Sequence, residues 1–288
     1  MNVFSRSWQI TKMSFSVINK DRELLAFALL SFVFSAVFSI AMIVPSVLSD
    51  VINQGRSVGE LEVYQYIIIF ATYFGLAFIA TFFNVCVVYT AKIRFEGGNA
   101  TFGESIRFAF SRIGLIVRWS LLSASVGLLL NVLERAVSSF GKVGEIVGRI
   151  IIGLMGAAWS IATIFVVPIL VYDGLGPIDA VKKSMSAVKE TWGENIVRSI
   201  GLGLMTFFAY VIVITGGVGL TILLANSFDV AGMITGIVIG GCLLLFTGLL
   251  FKVAGTVFTT ALFVYANEKI VASDYDSALI EGAFKPKK

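Results

Sequence analysis

One lysine inside a long apolar run is the residue whose type and position most suggest chemistry. Lys252 stands in LLFKVAGTVF, 16 residues before Glu268, or about 24 Å along a straight helix. That distance places it inside a hydrocarbon core about 30 Å thick, where a charge is costly and usually faces the bundle or water. We predict that Lys252 points into the bundle, with Asn84 as a polar neighbour. The functional interpretation is an ion or substrate site; the alternative is a structural lysine that snorkels to the membrane boundary or bonds carbonyl groups.

Basic and tryptophan residues at the ends of apolar runs form a second candidate site. Arg118 and Trp119 lie at the end of one run, and Lys182, Lys183 and Trp192 lie in a polar segment between two others. Tryptophan is enriched at membrane–water boundaries, and lysine is attracted to anionic headgroups. These residues are predicted to anchor the chain at the lipid headgroups, with a specific headgroup phosphate site as the alternative.

The side chains that most enzymes use are missing or misplaced. The chain contains no histidine, which excludes histidine metal ligands and histidine acid–base catalysis within it. Cys86 and Cys242 lie inside apolar runs and form no CxxC pair. We find no P-loop, no GxSxG motif and no paired-carboxylate site. The sequence therefore predicts no enzyme, no metal and no cofactor.

The elements that position these residues are predicted to be membrane-spanning helices. Hydrophobic residues make up 57% of the chain and charged residues 14%, against about 45–50% and about 25% in soluble domains. Backbone groups in lipid must be bonded within their own segment, so each apolar run should be a helix. We predict an all-α, polytopic membrane helix bundle, a single transmembrane domain over residues 1–288. Its six transmembrane helices are predicted at about 24–48, 64–91, 113–133, 150–172, 196–225 and 231–266.

Amphipathic interfacial helices are predicted beside these spans. They cover residues 3–20, 103–112 and 177–192. In the last of them, apolar residues at spacings of three and four mark one face: Ile178, Val181, Met185, Val188 and Trp192. This stripe is predicted to lie on acyl chains or on the bundle, with the lysines towards anionic headgroups.

The inner ends of alternate spans share a pattern that suggests a repeat. Each carries a Val-Tyr pair: Val88-Tyr89, Val171-Tyr172 and Val264-Tyr265. An amphipathic segment follows each pair and is entered through an acidic residue: Glu104, Asp179 or Asp276. The pattern predicts a unit of one interfacial helix and two spans, repeated three times, although convergence at membrane boundaries is the alternative.

The distribution of basic residues predicts orientation and partners. Most Lys and Arg residues lie in the N-terminal segment, the second and fourth connections and the C-terminal tail at 267–288. By the positive-inside rule, both termini should be cytoplasmic in a multi-pass protein of the cell membrane. The net charge of +4 does not indicate nucleic acid, because the basic residues lie beside apolar runs. Membrane lipids and further copies of the chain are the predicted partners.

The outer connection between the third and fourth spans is predicted to be a helical hairpin. Its turn should lie near Ser139–Gly141, because the helical pattern continues on both sides. Folding back there would bring Arg135 towards Glu145, and Glu134 towards Arg149.

Glycine clusters in the last two spans complete the basis for a functional hypothesis. They are TGGVG at 215–219 and GIVIGG at 236–241, and they favour close helix packing or a break. The first hypothesis is a channel- or transporter-like protein for a small solute or lipid, with Lys252 and these spans lining the path. The alternative is a non-transporting membrane scaffold that organises an oligomer or partner proteins.

Several segments resemble a known family. SWQITKMSFSVINKDRELLAFALLS, FFNVCVV, FVVPILVYDGLGPIDAVKKS and ETWGE are similar to an uncharacterised family of prokaryotic integral membrane proteins. The helix-before-hairpin plan is more weakly similar to the membrane portion of bacterial glycerophosphodiesterases, whose hydrolase domain has no counterpart in this sequence. The resemblance implies a six-span architecture and brings no activity with it.

Overall fold

The described residues of the chain are almost entirely helical. A computed structural model describes residues 3–52, 63–139, 141–192 and 201–268, and these ranges contain no strand. In chain order the helices are α1 (Val3–Lys20), α2 (Glu23–Ile52), α3 (Val63–Phe95), α4 (Phe102–Ser111), α5 (Ile113–Val137), α6 (Gly141–Ala162), α7 (Val166–Tyr172), α8 (Pro177–Trp192) and α9 (Gly201–Glu268). The all-α prediction is confirmed.

A short helix precedes each group of long apolar helices. The amphipathic helix α1 precedes α2 and α3, α4 precedes α5 and α6, and α8 precedes α9. This order is the one expected for the predicted unit of an interfacial helix and two spans. A symmetry relation among the three units stays a prediction, and the segment entered through Asp276 lies outside the described residues.

Five described segments are long and apolar enough to cross a membrane. They are Glu23–Met42, Tyr66–Phe95, Ile113–Val137, Gly141–Tyr172 and Gly203–Tyr265. The chain is therefore a multi-pass helical membrane protein. The sequence predicted six spans, and the difference lies in the last segment, which contains two of the predicted spans.

The helix α9 is interrupted by two non-helical residues and folds back on itself. Phe228 and Asp229 leave the helical conformation, and Asp229 has a φ of 50°. Beyond them the two arms approach closely, since a Cβ added to Gly236 would lie 2.5 Å from Cα of Thr221. Only glycine fits such an approach. Gly236 thus serves packing of the two arms, and the break lies outside both predicted glycine clusters.

Another interruption separates α6 from α7. Pro168 has no N–H, and its ring would clash with the carbonyl group of Ile164 in a continuous helix. The helical pattern accordingly breaks at residues 163–165. The freed N–H of Phe165 donates to Oγ of the buried Ser184 at 3.2 Å. This hydrogen bond fixes α8 to the break.

The described chain divides into two compact units. The first comprises the described parts of residues 1–28, 90–100 and 190–288, and in it α1 packs on α9 with Phe15 edge-on to Phe251 at 5.5 Å. The second comprises the described parts of 29–89 and 101–189. Its buried side chains lie mainly in the last turns of α3, the first half of α5, and α7.

The turn of the hairpin between α5 and α6 lies where predicted, but its charged side chains have other partners than predicted. α5 ends at Val137, and α6 begins at Gly141, whose φ of 73° requires a residue that tolerates the left-handed region. Arg135 donates to Oδ1 of Asn131 at 3.0 Å, and Arg149 pairs with Glu145 at 2.5 Å. The predicted pairs across the hairpin are therefore wrong, because residues four apart on one helix are nearer neighbours.

Candidate membrane-interface site

Helix α8 presents small residues to the protein and large apolar residues outward. Its buried face consists of Ala180, Ser184, Ala187 and Val188. Of the predicted apolar stripe, Ile178 is 64% exposed and Met185 53% exposed. Small side chains allow α8 to lie close to the break before α7, and this leaves the longer apolar side chains outside. Ile178 and Met185 therefore do not pack on the protein, whereas Val188 does.

The basic residues of α8 lie beside this outward apolar face. Lys182 is exposed, and its Nζ lies 3.6 Å from Oδ1 of Asp179. Lys183 donates to Oδ1 of Asp173 at 3.0 Å. Trp192 is the last residue of α8, and its side chain lies outside the described part of the structure. An exposed apolar face flanked by lysines is the arrangement of helices that lie in a membrane interface.

Helix α4 repeats the arrangement of α8. Ser105 and Ala109 are buried, whereas Phe102 and Phe110 are exposed. Arg107 is exposed on the polar side. Glu104 and Asp179 are the acidic residues of the two first turns. Placed in register, they align the buried small residues of the two helices: Ser105 with Ala180, and Ala109 with Ser184.

A capping box begins α4. Oγ1 of Thr101 accepts from the N–H of Glu104 at 3.3 Å, and Oε2 of Glu104 accepts from the N–H of Thr101 at 2.8 Å. The hydrogen bond from the Thr101 backbone lowers the pKa of Glu104 below its ordinary value. These two reciprocal hydrogen bonds fix where α4 starts.

Arg118 and Trp119 have different environments on α5. Arg118 is exposed, as a headgroup contact requires. Trp119 is only 7% exposed, and its ring stacks on that of Trp159 with centroids 6.0 Å apart. Trp119 thus packs α5 against α6, and an anchoring role at the headgroups stays a prediction.

Lys252 lies on α9 next to buried apolar residues. Its neighbours Val253, Ala254 and Val257 are buried, whereas Lys252 is exposed. Whether Lys252 points into an assembled bundle stays a prediction. Asn84 is half-buried and belongs to the second unit, whereas Lys252 belongs to the first, so neither unit contains the predicted pair. Lys252 follows Asp229 by 23 residues, or about 35 Å along the arm, which exceeds the hydrocarbon thickness.

Sequence reasoning missed a buried ion pair in the first unit. The side chain of Asp21, between α1 and α2, is 1% exposed. Nε of Arg94 donates to its Oδ2 at 2.6 Å, and Nη2 donates to its Oδ1. Nη2 of Arg94 also donates to Oδ1 of Asn99 at 2.9 Å. The available signal was the position of Asp21 between two basic residues, Lys20 and Arg22.

Comparison with known proteins gives a family and no activity. The model of a family described as "Family of unknown function (DUF6159)" matches residues 63–272. No curated protein matches the chain. The match agrees with the resemblance to an uncharacterised family and gives no support to the weaker similarity to glycerophosphodiesterases. Among the residues that the structure describes, no group of three or more acidic or cysteine side chains is placed to hold a metal ion.

Proposed function

The chain belongs to the DUF6159 family of unknown function, and from its geometry we propose that it is a non-transporting membrane scaffold that assembles with further copies of itself. In this proposal the two arms of α9 are separate crossings, so the chain crosses the cell membrane six times. The distribution of basic residues supports cytoplasmic termini. The outward apolar faces of α4 and α8 support a position for both helices in the cytoplasmic interface.

The observation that carries the proposal is a set of glycines that the single chain does not use. A Cβ added to Gly216 or Gly219 would meet nothing within 4 Å, and Gly153 on α6 is equally open. By contrast, Gly217 and Gly240 lie against each other inside the α9 hairpin. Because lipid provides no hydrophobic force between helices, close approach at small residues is a main source of helix association.

The open glycines of α9 lie in a continuous stripe. Ile212, Gly216, Gly219 and Leu223 recur at spacings of four, three and four, so they share one side of the first arm. We call this stripe the outer glycine face. Ile212 and Leu223 are strongly exposed and border the two glycines. A second copy could bring a helix to the glycines and pack against both larger side chains.

Transport, the first hypothesis from sequence, ranks second in this proposal. The predicted path was lined by Lys252 and by the glycine-rich spans. Lys252 is exposed, and Gly236 and Gly240 are buried against the other arm. Lys252 lies about 35 Å from the hairpin tip, so its amine can also extend to the opposite membrane boundary.

Subunit counting in lipid vesicles tests the proposal. We expect fluorescently labelled wild-type chains to bleach in more than one step per particle, even at low protein density. Replacing both Gly216 and Gly219 by leucine should give single steps, because the larger side chains keep the helices apart. The control is Val218→Leu, an exposed position of the same arm off the outer glycine face. Single steps in the wild type, or solute release from the same vesicles, would contradict the scaffold proposal.

A further inference from the structure

Arg112 lies between α4 and α5 and is held by a stack of aromatic rings. Its Cζ lies 5.4 Å from the centroid of the Phe108 ring. The Phe108 ring in turn stacks on Tyr89, with centroids 4.2 Å apart and planes inclined by 14°. The guanidinium is therefore placed by packing from α3 and α4, and cation–π attraction favours this position.

The loop between α7 and α8 runs along the guanidinium. A Cβ added to Gly174 would lie 2.8 Å from Nη1 of Arg112 and 3.6 Å from Nη2. Gly174 has a φ of 63°, so glycine supplies both the backbone conformation and the space. Arg112 and α8 thus meet at the same loop, since α8 begins at Pro177.

This guanidinium has no counter-charge within the described chain. No hydrogen bond or ion pair of the Arg112 side chain occurs among the described residues. The acids nearest in sequence to the loop already have partners: Asp173 is bonded to Lys183, and Asp179 lies beside Lys182. Arg112 therefore adds an uncompensated positive charge beside α4 and α8, the two helices whose apolar faces point outward.

We propose that Arg112 binds a phosphate group at this loop. A planar guanidinium that lies over an aromatic ring and has no bonded partner among the described residues can offer two N–H groups to phosphate oxygens. The phosphate belongs either to an anionic lipid headgroup or to a soluble phosphate ester, and both present the same oxygens. The site is independent of self-association, because it lies within one chain.

Binding measurements on the full chain in an uncharged detergent test this site. The lipid probe is a short-chain phosphatidylglycerol, followed by native mass spectrometry, and the soluble probe is glycerol phosphate, followed by calorimetry. We expect Arg112→Gln to weaken binding of the accepted probe about tenfold. Arg112→Lys keeps the positive charge but loses the paired N–H groups of the guanidinium, so it should weaken binding to an intermediate degree. This second variant keeps the test decisive if Arg112→Gln does not fold.

The control variant and the two probes separate the outcomes. Lys142→Gln removes one exposed positive charge from the far end of α6 and should leave binding unchanged. Binding of the lipid alone assigns the site to a headgroup, and binding of both probes assigns it to phosphate from either source. Equal affinity in the wild type and folded Arg112 variants, or an equal loss in the Lys142 variant, would overturn the proposal.

Discussion

Arg94 holds the buried carboxylate of Asp21 with two nitrogens of one guanidinium. The two residues are 73 positions apart, and the Nε–Oδ2 distance is 2.6 Å. Through this pair, the junction of α1 and α2 is joined to the last turn of α3. A fork-to-carboxylate contact fixes orientation as well as distance, which a single lysine contact would not do.

Asp21→Asn should therefore destabilise the chain strongly. Removing one partner of a buried ion pair leaves the other charge uncompensated, at a cost of about 3 kcal/mol in the free energy of unfolding. Denaturant unfolding in detergent measures this loss. Glu96→Gln is the matched control, because Glu96 is exposed and 3.9 Å from Lys92; its cost should stay below about 1 kcal/mol. Equal costs for the two variants would refute a special role for Asp21.

Gly236→Ala should disrupt the α9 hairpin. The added Cβ would lie 2.5 Å from Cα of Thr221, so the arms must move apart. Overpacking of this kind costs about 1–3 kcal/mol, seen as a lower thermal midpoint in detergent. Gly241→Ala is the control, since nothing lies within 4 Å of its Cβ position. There, the better helix propensity of alanine should leave stability equal or higher. A lower midpoint for the control alone would contradict the packing described.

Ser184→Ala should weaken the attachment of α8. Its hydroxyl is the acceptor for the buried N–H of Phe165, and an unsatisfied buried donor costs about 1–3 kcal/mol. Ser125→Ala serves as the control, because that exposed hydroxyl bonds only a carbonyl group of its own helix. Limited proteolysis within α8 should accelerate in the first variant only. Unchanged proteolysis of the Ser184 variant would mean that this hydrogen bond does not hold α8.

The start of α4 should depend on pH through Glu104. Its pKa is lowered in the folded chain, mainly by the hydrogen bond from the Thr101 backbone. A lowered pKa stabilises the folded state above the ordinary carboxyl pKa, and this stabilisation is lost as pH falls through the folded value. Hydrogen-exchange protection of the first turn of α4 should therefore fall between about pH 5 and pH 3. Glu104→Gln should remove this pH dependence; a profile identical to the wild type would show that Glu104 is not responsible.

The sequence predicted the composition and order of the helices better than their packing faces. Apolar runs and charged ends are local signals, and they identified the long helices and the short amphipathic ones before each pair. For α8 the sequence left open whether the apolar stripe lies on acyl chains or on the bundle, because lipid accepts exposed Ile178 and Met185 without penalty. In such a helix, small residues such as Ala180 and Ser184 identify the buried face better than large apolar ones do.

Long-range relationships explain the other differences between prediction and structure. The depth of Lys252 in the membrane was estimated from its distance to Glu268. The break at Asp229 gives a second reference point, at the other end of the same arm. The pair of Asp21 and Arg94 joins residues 73 positions apart, and no periodic pattern links them. The position of Arg112 likewise depends on contacts with rings and a loop from separate elements.

Disulfide cross-linking in membranes tests self-assembly through the outer glycine face most directly. In a Cys242→Ser background, Ile212→Cys and Leu223→Cys each place a thiol on that face, whereas Val218→Cys places one on another exposed side of the same arm. We predict that mild oxidation yields covalent dimers of the first two variants and little dimer of the third. Equal dimer yields for all three, or none for any, would contradict assembly through this face.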